Sequence, residues 1–387
     1  MMKVLHLTIT LNPEEGGGTQ KVVCDLVETL AQKGLDVTIF STLKRGEEIK
    51  IFQPRGVKIK IFQRSFFSHL WNSHSPALQI ALEKEIKNFD LIHIHGIWHH
   101  LLFVAYKAAK KFHKPFIITP HGTLEPWPLS YKFLRKKIYY SLIQKRILKE
   151  ASAIQAITTQ EAKNIQNLGI KTRIVVIPNG INLKEFQKIP ENKTLERFFP
   201  ELINKKYFLF LGRLHPVKGL DLLVRAFSQI TKERNDIFLV IAGPDELGYR
   251  KELEKILKSE DAMENTIFTG LVTEEKKVAL LSNANFLVLP SYSEVRGISI
   301  LEAAACGIPV IATHKCNFPE IEEFKTGILI DPDISQLRKA ILILLNNQNL
   351  GKEMGENGKK MVFEKFTWEK ISGEIIKFYQ DLLGNKF

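Results

Sequence analysis

Residues 294 to 302 read Glu-Val-Arg-Gly-Ile-Ser-Ile-Leu-Glu, which sets two carboxylates on either side of a glycine, where a strand is expected to run into a helix. A second stretch, Leu-Gly-Arg-Leu-His-Pro-Val-Lys-Gly at 211–219, offers an arginine and a lysine on another strand-to-loop turn. Arginine grips phosphate with a fork of donors and lysine acts as a point charge. Together Arg213 and Lys218 can neutralise a diphosphate as its charge develops, the kind of electrostatic help that usually dominates such chemistry. Glu294 is expected in a loop and Glu302 within the following helix, whose first N–H groups, at Gly297, Ile298 and Ser299, can point at a phosphate. Glu302 stands among alanines and aliphatics, where burial without a hydrogen-bond partner is costly. A ribose diol would supply that partner; so would a lysine in a structural ion pair. Two acids able to hold a sugar or ribose, with two cations able to hold a diphosphate, are the ingredients of a nucleotide-sugar site.

Three further stretches could do chemistry. Glu14-Glu15-Gly16-Gly17-Gly18-Thr19 is expected between the first strand and the first helix, where Gly16 and Gly17 let a ligand approach the backbone. It is not a dinucleotide fingerprint, because Lys21 stands where the last glycine or alanine is needed. The other reading is a mobile glycine turn. His121, in Thr-Pro-His-Gly-Thr, is placed to hydrogen-bond a substrate hydroxyl, to serve in proton transfer, or only to cap a loop. His93, His95, His99 and His100 raise the question of a metal, and His93 and His95 share one face of a strand. No cysteine or acid arrangement completes a recognisable site, so no metal and no cofactor are expected. His95 and Trp98 read instead as lining the ligand cleft.

The elements that must position these residues alternate strand and helix in both halves. Strands are expected at 4–9, 37–40, 91–95, 116–119, 153–157 and 174–177, then at 207–211, 237–241, 266–268, 286–289, 309–312 and 327–330. Helical patterns such as 20–33, 101–111, 219–231 and 249–258 lie between them. This predicts an α/β protein of two doubly wound domains with parallel sheets, whose ligands bind past the carboxyl ends of the strands. The turn Ile-Pro-Asn-Gly-Ile-Asn (177–182) marks the break, which predicts domains over 1–185 and 186–365. An amphipathic helix is expected over 366–383, with Trp368, Ile371, Ile375 and Phe378 as its apolar stripe.

A chain of 387 residues suits two cores, and 44% hydrophobic with 25% charged residues is ordinary globular composition. Three cysteines without metal or CxxC spacing fit a reducing compartment, and the N-terminus lacks the pattern of a signal peptide. A cytoplasmic protein is expected. The whole net charge of +13 lies in residues 1–185, which points to an acidic partner for that half: a membrane surface, a phosphorylated lipid, an anionic glycan or nucleic acid. The densest stretch, Tyr131 to Lys149, carries Lys132, Arg135, Lys136, Lys137, Lys145, Arg146 and Lys149 with Leu134, Ile138 and Leu142 at helical spacing. It predicts a basic amphipathic helix, either touching an anionic surface or packing on its own domain with a solvated lysine face.

In order and spacing, the Gly16–Gly18 stretch, His-Ile-His-Gly-Ile-Trp (93–98), Thr-Pro-His-Gly-Thr (119–123), Ile-Pro-Asn-Gly-Ile-Asn, Gly-Arg-Leu-His-Pro-Val-Lys-Gly (212–219), Ala-Gly-Pro-Asp (242–245) and the Glu-x7-Glu element resemble the retaining glycosyltransferases of family 4, of GT-B fold, over nearly the whole chain. The resemblance implies two Rossmann-like domains facing a cleft, with a C-terminal helix (366–387) returning to the first. It implies that the second domain binds a nucleotide-diphosphate sugar: Arg213 and Lys218 the diphosphate, Glu302 the ribose, Glu294 with Gly297, Ile298 and Ser299 the sugar and phosphates, Leu271 and Val272 the base. Gly16 and Gly17 would close over the phosphates, with His121 beside the transferred sugar. The first domain would bind a glycan or lipid-linked acceptor, with His95 and Trp98 on that side. Arg296 stands where the family commonly has an aromatic residue, which adds a cation near the donor sugar or acceptor. The resemblance further implies retention of anomeric configuration without a divalent metal, and a role in cell-surface polysaccharide or glycolipid synthesis with no nucleic-acid partner; the basic first half adds the expectation of work at the inner face of the membrane.

Other classes fit less of the chain. A metal-dependent transferase of another fold needs an Asp-x-Asp site; Asp331-Pro332-Asp333 matches by letters but is expected to open a helix. A sugar-nucleotide epimerase would bind the same donor without an acceptor. A non-enzymatic binder of anionic glycans explains the basic half but leaves Arg213, Lys218 and the glutamates without a role.

Overall fold

The computed structural model describes residues 1–46, 51–130, 133–187, 192–245, 247–272 and 274–384. Two parallel sheets organise them. In the first, β1 (Lys3–Leu7), β2 (Asp36–Leu43), β3 (Lys58–Gln63), β4 (Leu91–His95), β5 (Phe116–Thr119), β6 (Ala153–Ala156) and β7 (Ile174–Val176) lie in the order β3-β2-β1-β4-β5-β6-β7. In the second, β8 (Lys206–Leu211), β9 (Ile237–Ala242), β10 (Thr266–Gly270), β11 (Leu287–Leu289), β12 (Val310–Thr313) and β13 (Gly327–Ile330) lie in the order β10-β9-β8-β11-β12-β13. Central strands such as β4, β5, β6 and β12 are buried along their whole length, as helices on both faces of a parallel sheet require. The strand that the sequence pattern left out is β3, Lys-Ile-Lys-Ile-Phe-Gln, an edge strand with no residue fully buried. Its lysines alternate with aliphatics, which blunts an exposed edge and hides the apolar signal.

The chain forms two compact units, one of Met1–Gly180 with the stretch from Trp368 onward, the other of Ile181–Thr367. The break thus falls inside the 177–182 turn rather than after residue 185. Ile181, Phe186 and Leu195 already belong to the second core, and Ile181 donates its N–H to Phe366 O at 2.8 Å. That core is aromatic: Phe208 stacks on Phe286 at 5.1 Å and meets Phe227 edge-on at 5.5 Å. In the first unit the helix Trp368–Leu382 buries Trp368, Ile371, Ile375, Phe378 and Tyr379 and packs on the helix Pro13–Gln32. A Cβ on Gly180 would lie 2.7 Å from the Trp368 ring, so the chain can pass there only as glycine.

Two sequence expectations are corrected. Gly16, Gly17 and Gly18 lie inside the helix Pro13–Gln32, not in a loop before it. Proline suits a first helical turn, and a clamp ties that turn down: Arg64 meets Glu15 through two N–H···O contacts of 2.7 and 3.1 Å and also reaches Thr42 Oγ1 and Ile9 O. The basic stretch is not one regular helix. Helical segments Phe133–Tyr139 and Lys145–Glu150 flank a π-helical turn, Tyr140–Gln144, and Tyr131 and Lys132 lie outside the described residues. All three cysteines are buried, and no helix among the described residues is long and apolar enough to cross a membrane.

Candidate functional site

In each sheet the strand order reverses once, between β1 and β4 in the first and between β8 and β11 in the second. Loops leaving neighbouring strands there depart in opposite directions and leave a crevice at the carboxyl ends. The candidate residues gather at these two places.

In the second unit, Arg213 and Lys218 follow β8 and Glu294 follows β11. Lys218 ends a short 3₁₀ turn, Pro216–Lys218, that His215 caps by accepting Val217 N–H at 3.1 Å. The turn must then reverse at Gly219, with φ +65° and a would-be Cβ only 2.0 Å from Pro290 O. No other residue fits there. Tyr292 N–H donates to Val217 O at 2.8 Å, which ties the β11 loop to the β8 loop. Lys218 and Glu294 consequently form an ion pair, each side chain mostly buried. Glu294 is held from behind as well: its N–H donates to Lys315 O at 3.0 Å and its O accepts from Asn317 Nδ2 at 2.7 Å. Arg213 stands exposed at the end of β8. Gly297 caps the helix Ile298–Cys306, whose opening N–H groups have no partner within the helix. Glu302 lies one turn further in, where Lys277 meets its Oε1 in an ion pair.

The structure corrects two placements in this unit and bears out a third. Arg296 points into the core, its side chain 6% exposed, 2.7 Å from Glu320 and lying over the rings of Phe318 and Phe366 at 4.3 and 4.6 Å. Burial lowers its pKa, opposed by Glu320, and it adds no cation at the site. Val272 is buried in the aromatic core, so of the two it is Leu271 that presents its side chain at the surface after β10. Asp333 accepts Gln336 N–H at 2.8 Å as the cap of the helix Ile334–Asn346, the expected opening of a helix rather than a metal site.

In the first unit, His121 follows β5 with φ +51°, a backbone state that histidine adopts at a cost. Its turn is pinned by Glu161, which accepts Gly122 N–H at 2.6 Å and Ile157 N–H at 2.8 Å. Burial pushes the Glu161 carboxyl up to about 7, against the pull of those two amides, and Glu125 adds to the rise. His95, at the end of β4, does not line a surface. It is buried behind His121, with Nδ1 3.1 Å from His121 Nε2 and Nε2 2.9 Å from His6 Nδ1. The strand alternation turns it inward, between β1 and β5. Trp98 is half-buried, has φ +70°, and donates its indole N–H to Thr123 O at 3.1 Å, so it braces the His121 turn. Burial lowers the pKa of His121 to about 4 and that of His6 to about 3; both rings are neutral at ordinary pH.

His6, His93 and His95 each bring a ring nitrogen within 4.8 Å of the others, the cluster among the described residues closest to a metal-binding arrangement. Yet His93 is committed: Nδ1 lies 2.6 Å from Tyr379 Oη and Nε2 2.7 Å from Thr119 Oγ1. A metal would have to break one of these bonds. His6, Tyr379 and Glu161 escaped the sequence reading. Only Glu161 left a signal, as the fourth residue of Thr158-Thr-Gln-Glu161, a helix-capping spacing.

Comparison with known proteins matches this geometry to a family. A model of glycosyltransferase family 4 matches residues 16–185, and a model of the group 1 glycosyl transferases matches residues 192–361. The chain is 27% identical to the O-antigen chain mannosyltransferase C of Escherichia coli over the full length of both. The fold is similar to that of sucrose-phosphate synthase from Thermosynechococcus elongatus, with TM-score 0.85 and 23% identity over 99% of this chain and 100% of that one. It is also similar to Anabaena HepE, solved with UDP and glucose, at TM-score 0.78 and 19% identity over 98% of this chain and 100% of the other. With two matched halves and two parallel-sheet units, the chain belongs to the group 1, family 4 glycosyltransferases of GT-B fold.

Proposed function

We propose that the protein moves a hexose from a nucleotide-diphosphate sugar to a hydroxyl of a glycan or lipid-linked acceptor, with retention and without a metal. The observation that carries this is the Lys218–Glu294 ion pair at the second unit's switch point, with Arg213 just past β8 and Gly297 opening the helix Ile298–Cys306 after β11. Arg213 and Lys218 hold the diphosphate, as two fixed cations suffice to meet the charge that leaves with it. The N–H groups of Gly297, Ile298 and Ser299 take phosphate oxygens, Glu294 takes sugar hydroxyls, and Glu302 takes the ribose diol, with Leu271 against the base. His121 contacts the sugar. Because Lys218 and Glu294 already neutralise each other, the donor enters a site of balanced charge: phosphate takes the lysine while sugar hydroxyls take the carboxylate.

In the transfer step the anomeric C–O bond to the β-phosphate breaks and the acceptor oxygen bonds to the same face. The acceptor hydroxyl proton passes to the departing phosphate oxygen, so no separate protein base is needed. The mannosyltransferase likeness and the HepE complex with UDP and glucose support a sugar nucleotide as donor and a cell-surface glycan as the acceptor class. Anchoring at the cytoplasmic face of an anionic membrane fits the basic half: Ile138 is 59% and Leu142 73% exposed within the basic stretch, with Lys137, Lys145 and Arg146 beside them.

The test is turnover of UDP-, GDP-, ADP- and dTDP-sugars with chelator present and a crude glycolipid acceptor, the product's anomeric configuration read by NMR. Retained configuration in chelator supports the proposal. Inverted product, or activity that returns only with a divalent ion, contradicts it.

A further inference from the structure

Behind His121 runs a chain of imidazoles whose hydrogen bonds leave little freedom. Each of the two contacts, His6 Nδ1 to His95 Nε2 at 2.9 Å and His95 Nδ1 to His121 Nε2 at 3.1 Å, needs one protonated and one bare nitrogen. A neutral ring carries one N–H, so the chain has two consistent states. In the first, every proton sits on Nδ1: His6 donates to His95, His95 donates to His121 Nε2, and His121 keeps N–H at Nδ1. In the second, every proton sits on Nε2, and His6 must bury an N–H at Nε2, an atom with no hydrogen-bond partner. An orphaned buried N–H is rarer in folded proteins than an under-satisfied acceptor, which favours the first state.

The neighbouring ring cannot rescue the second. Gln155 donates to Ile177 O at 3.0 Å, which turns its Oε1 toward Thr119, and the Thr119 hydroxyl donates to that oxygen at 3.1 Å. Thr119 therefore accepts from His93 Nε2–H, and His93 Nδ1 accepts from the Tyr379 hydroxyl. His93 has its proton and its lone pair both engaged and offers neither to His6. No hydrogen bond among the described residues takes up His121 Nδ1.

We propose that His6 and His95 are positioning residues that hold His121 as the neutral Nδ1–H tautomer, so that it presents a fixed N–H donor to a hydroxyl oxygen of the bound sugar. An imidazole free in water prefers its proton on Nε2, so the chain inverts the ordinary choice. Fixing a histidine's tautomer through its other nitrogen is how buried partners tune such rings elsewhere. The role toward sugar rests on the transferase reading above; the tautomer itself does not.

The experiment is long-range ¹H–¹⁵N correlation of the histidine rings in the free full-length protein, with His95→Leu and His95→Asn beside the parent. Asparagine keeps an N–H donor near the former Nδ1 and leucine removes it. His121 is expected protonated at Nδ1 in the parent and in His95→Asn, and shifted toward Nε2–H in His95→Leu. A parent ring protonated at Nε2, or one unchanged by His95→Leu, overturns the tautomer assignment without touching the transferase reading. With a sugar nucleotide that the parent turns over, kcat/KM should fall roughly tenfold in His95→Leu, the weight of one hydrogen bond, and recover in His95→Asn. Unchanged turnover despite a changed tautomer overturns the role toward sugar.

Discussion

Arg296 shows how one residue's surroundings decide its part. By position in the Glu-x7-Glu element it reads as a cation beside the donor, yet it is stacked on Phe318 and Phe366 and paired with Glu320. It fills an aromatic position as a flat, apolar-sided group whose charge is met from within. Arg296→Ala should therefore destabilise the protein by about 3 kcal/mol in urea unfolding, since it leaves a carboxylate beside an emptied pocket. Nucleotide-sugar affinity should stay within a few-fold of the parent, and a selective loss of affinity would place the arginine at the site after all. Gly219 is the opposite case, where the missing side chain is the function. A Cβ there meets a backbone oxygen in a left-handed conformation, so Gly219→Ala should cost at least about 2 kcal/mol and misplace Lys218. Thermal melts with and without donor separate the two effects.

At the scale of elements, both candidate clusters are held by loops tied to one another rather than by the strands alone. Glu161 ties the helix Thr159–Asn167 to the His121 turn, and its environment makes that tie sensitive to pH. Its carboxyl is raised from 4.5 to about 7 on folding, so the folded chain holds the proton more tightly than the unfolded chain. The group therefore stabilises the fold fully below its unfolded value, and that contribution fades as pH rises from about 4.5 through about 7. Relative to the parent, Glu161→Gln should flatten the dependence of melting temperature on pH across that window, and identical slopes would remove Glu161 as its source. The sequence made twelve of the thirteen strands visible, because buried parallel strands are unbroken apolar runs. Strand β3 stayed hidden behind its lysines, and the first helix was started too late because three glycines argue for a turn when Arg64, far off in sequence, is not considered.

Across the whole molecule, the order of motifs was enough to reach the family, since every motif but the Gly16–Gly18 stretch falls at or just past a strand end, where parallel sheets must open. What stayed illegible were groups whose role depends on partners far apart in sequence: His6 with His95, His93 with Tyr379, Arg296 with Glu320. No spacing rule links such residues; only the folded sheet brings them together. The charge asymmetry also operates at this scale. If the basic half docks on anionic lipid, replacing Leu142 and Lys145 together by Glu should release the protein from phosphatidylserine vesicles while leaving turnover of a water-soluble acceptor intact. Undiminished partitioning would assign the basic face to solvent or to the glycan. The most direct measurement is a thermal-shift series with UDP-, GDP-, ADP- and dTDP-sugars in chelator, run beside Arg213→Ala and Glu302→Ala. A donor at about 100 times its dissociation constant adds roughly 2.7 kcal/mol of stability. One nucleotide class should stabilise the parent and neither variant, whereas equal stabilisation of all three proteins, or of none, would contradict a donor site built on Arg213 and Glu302.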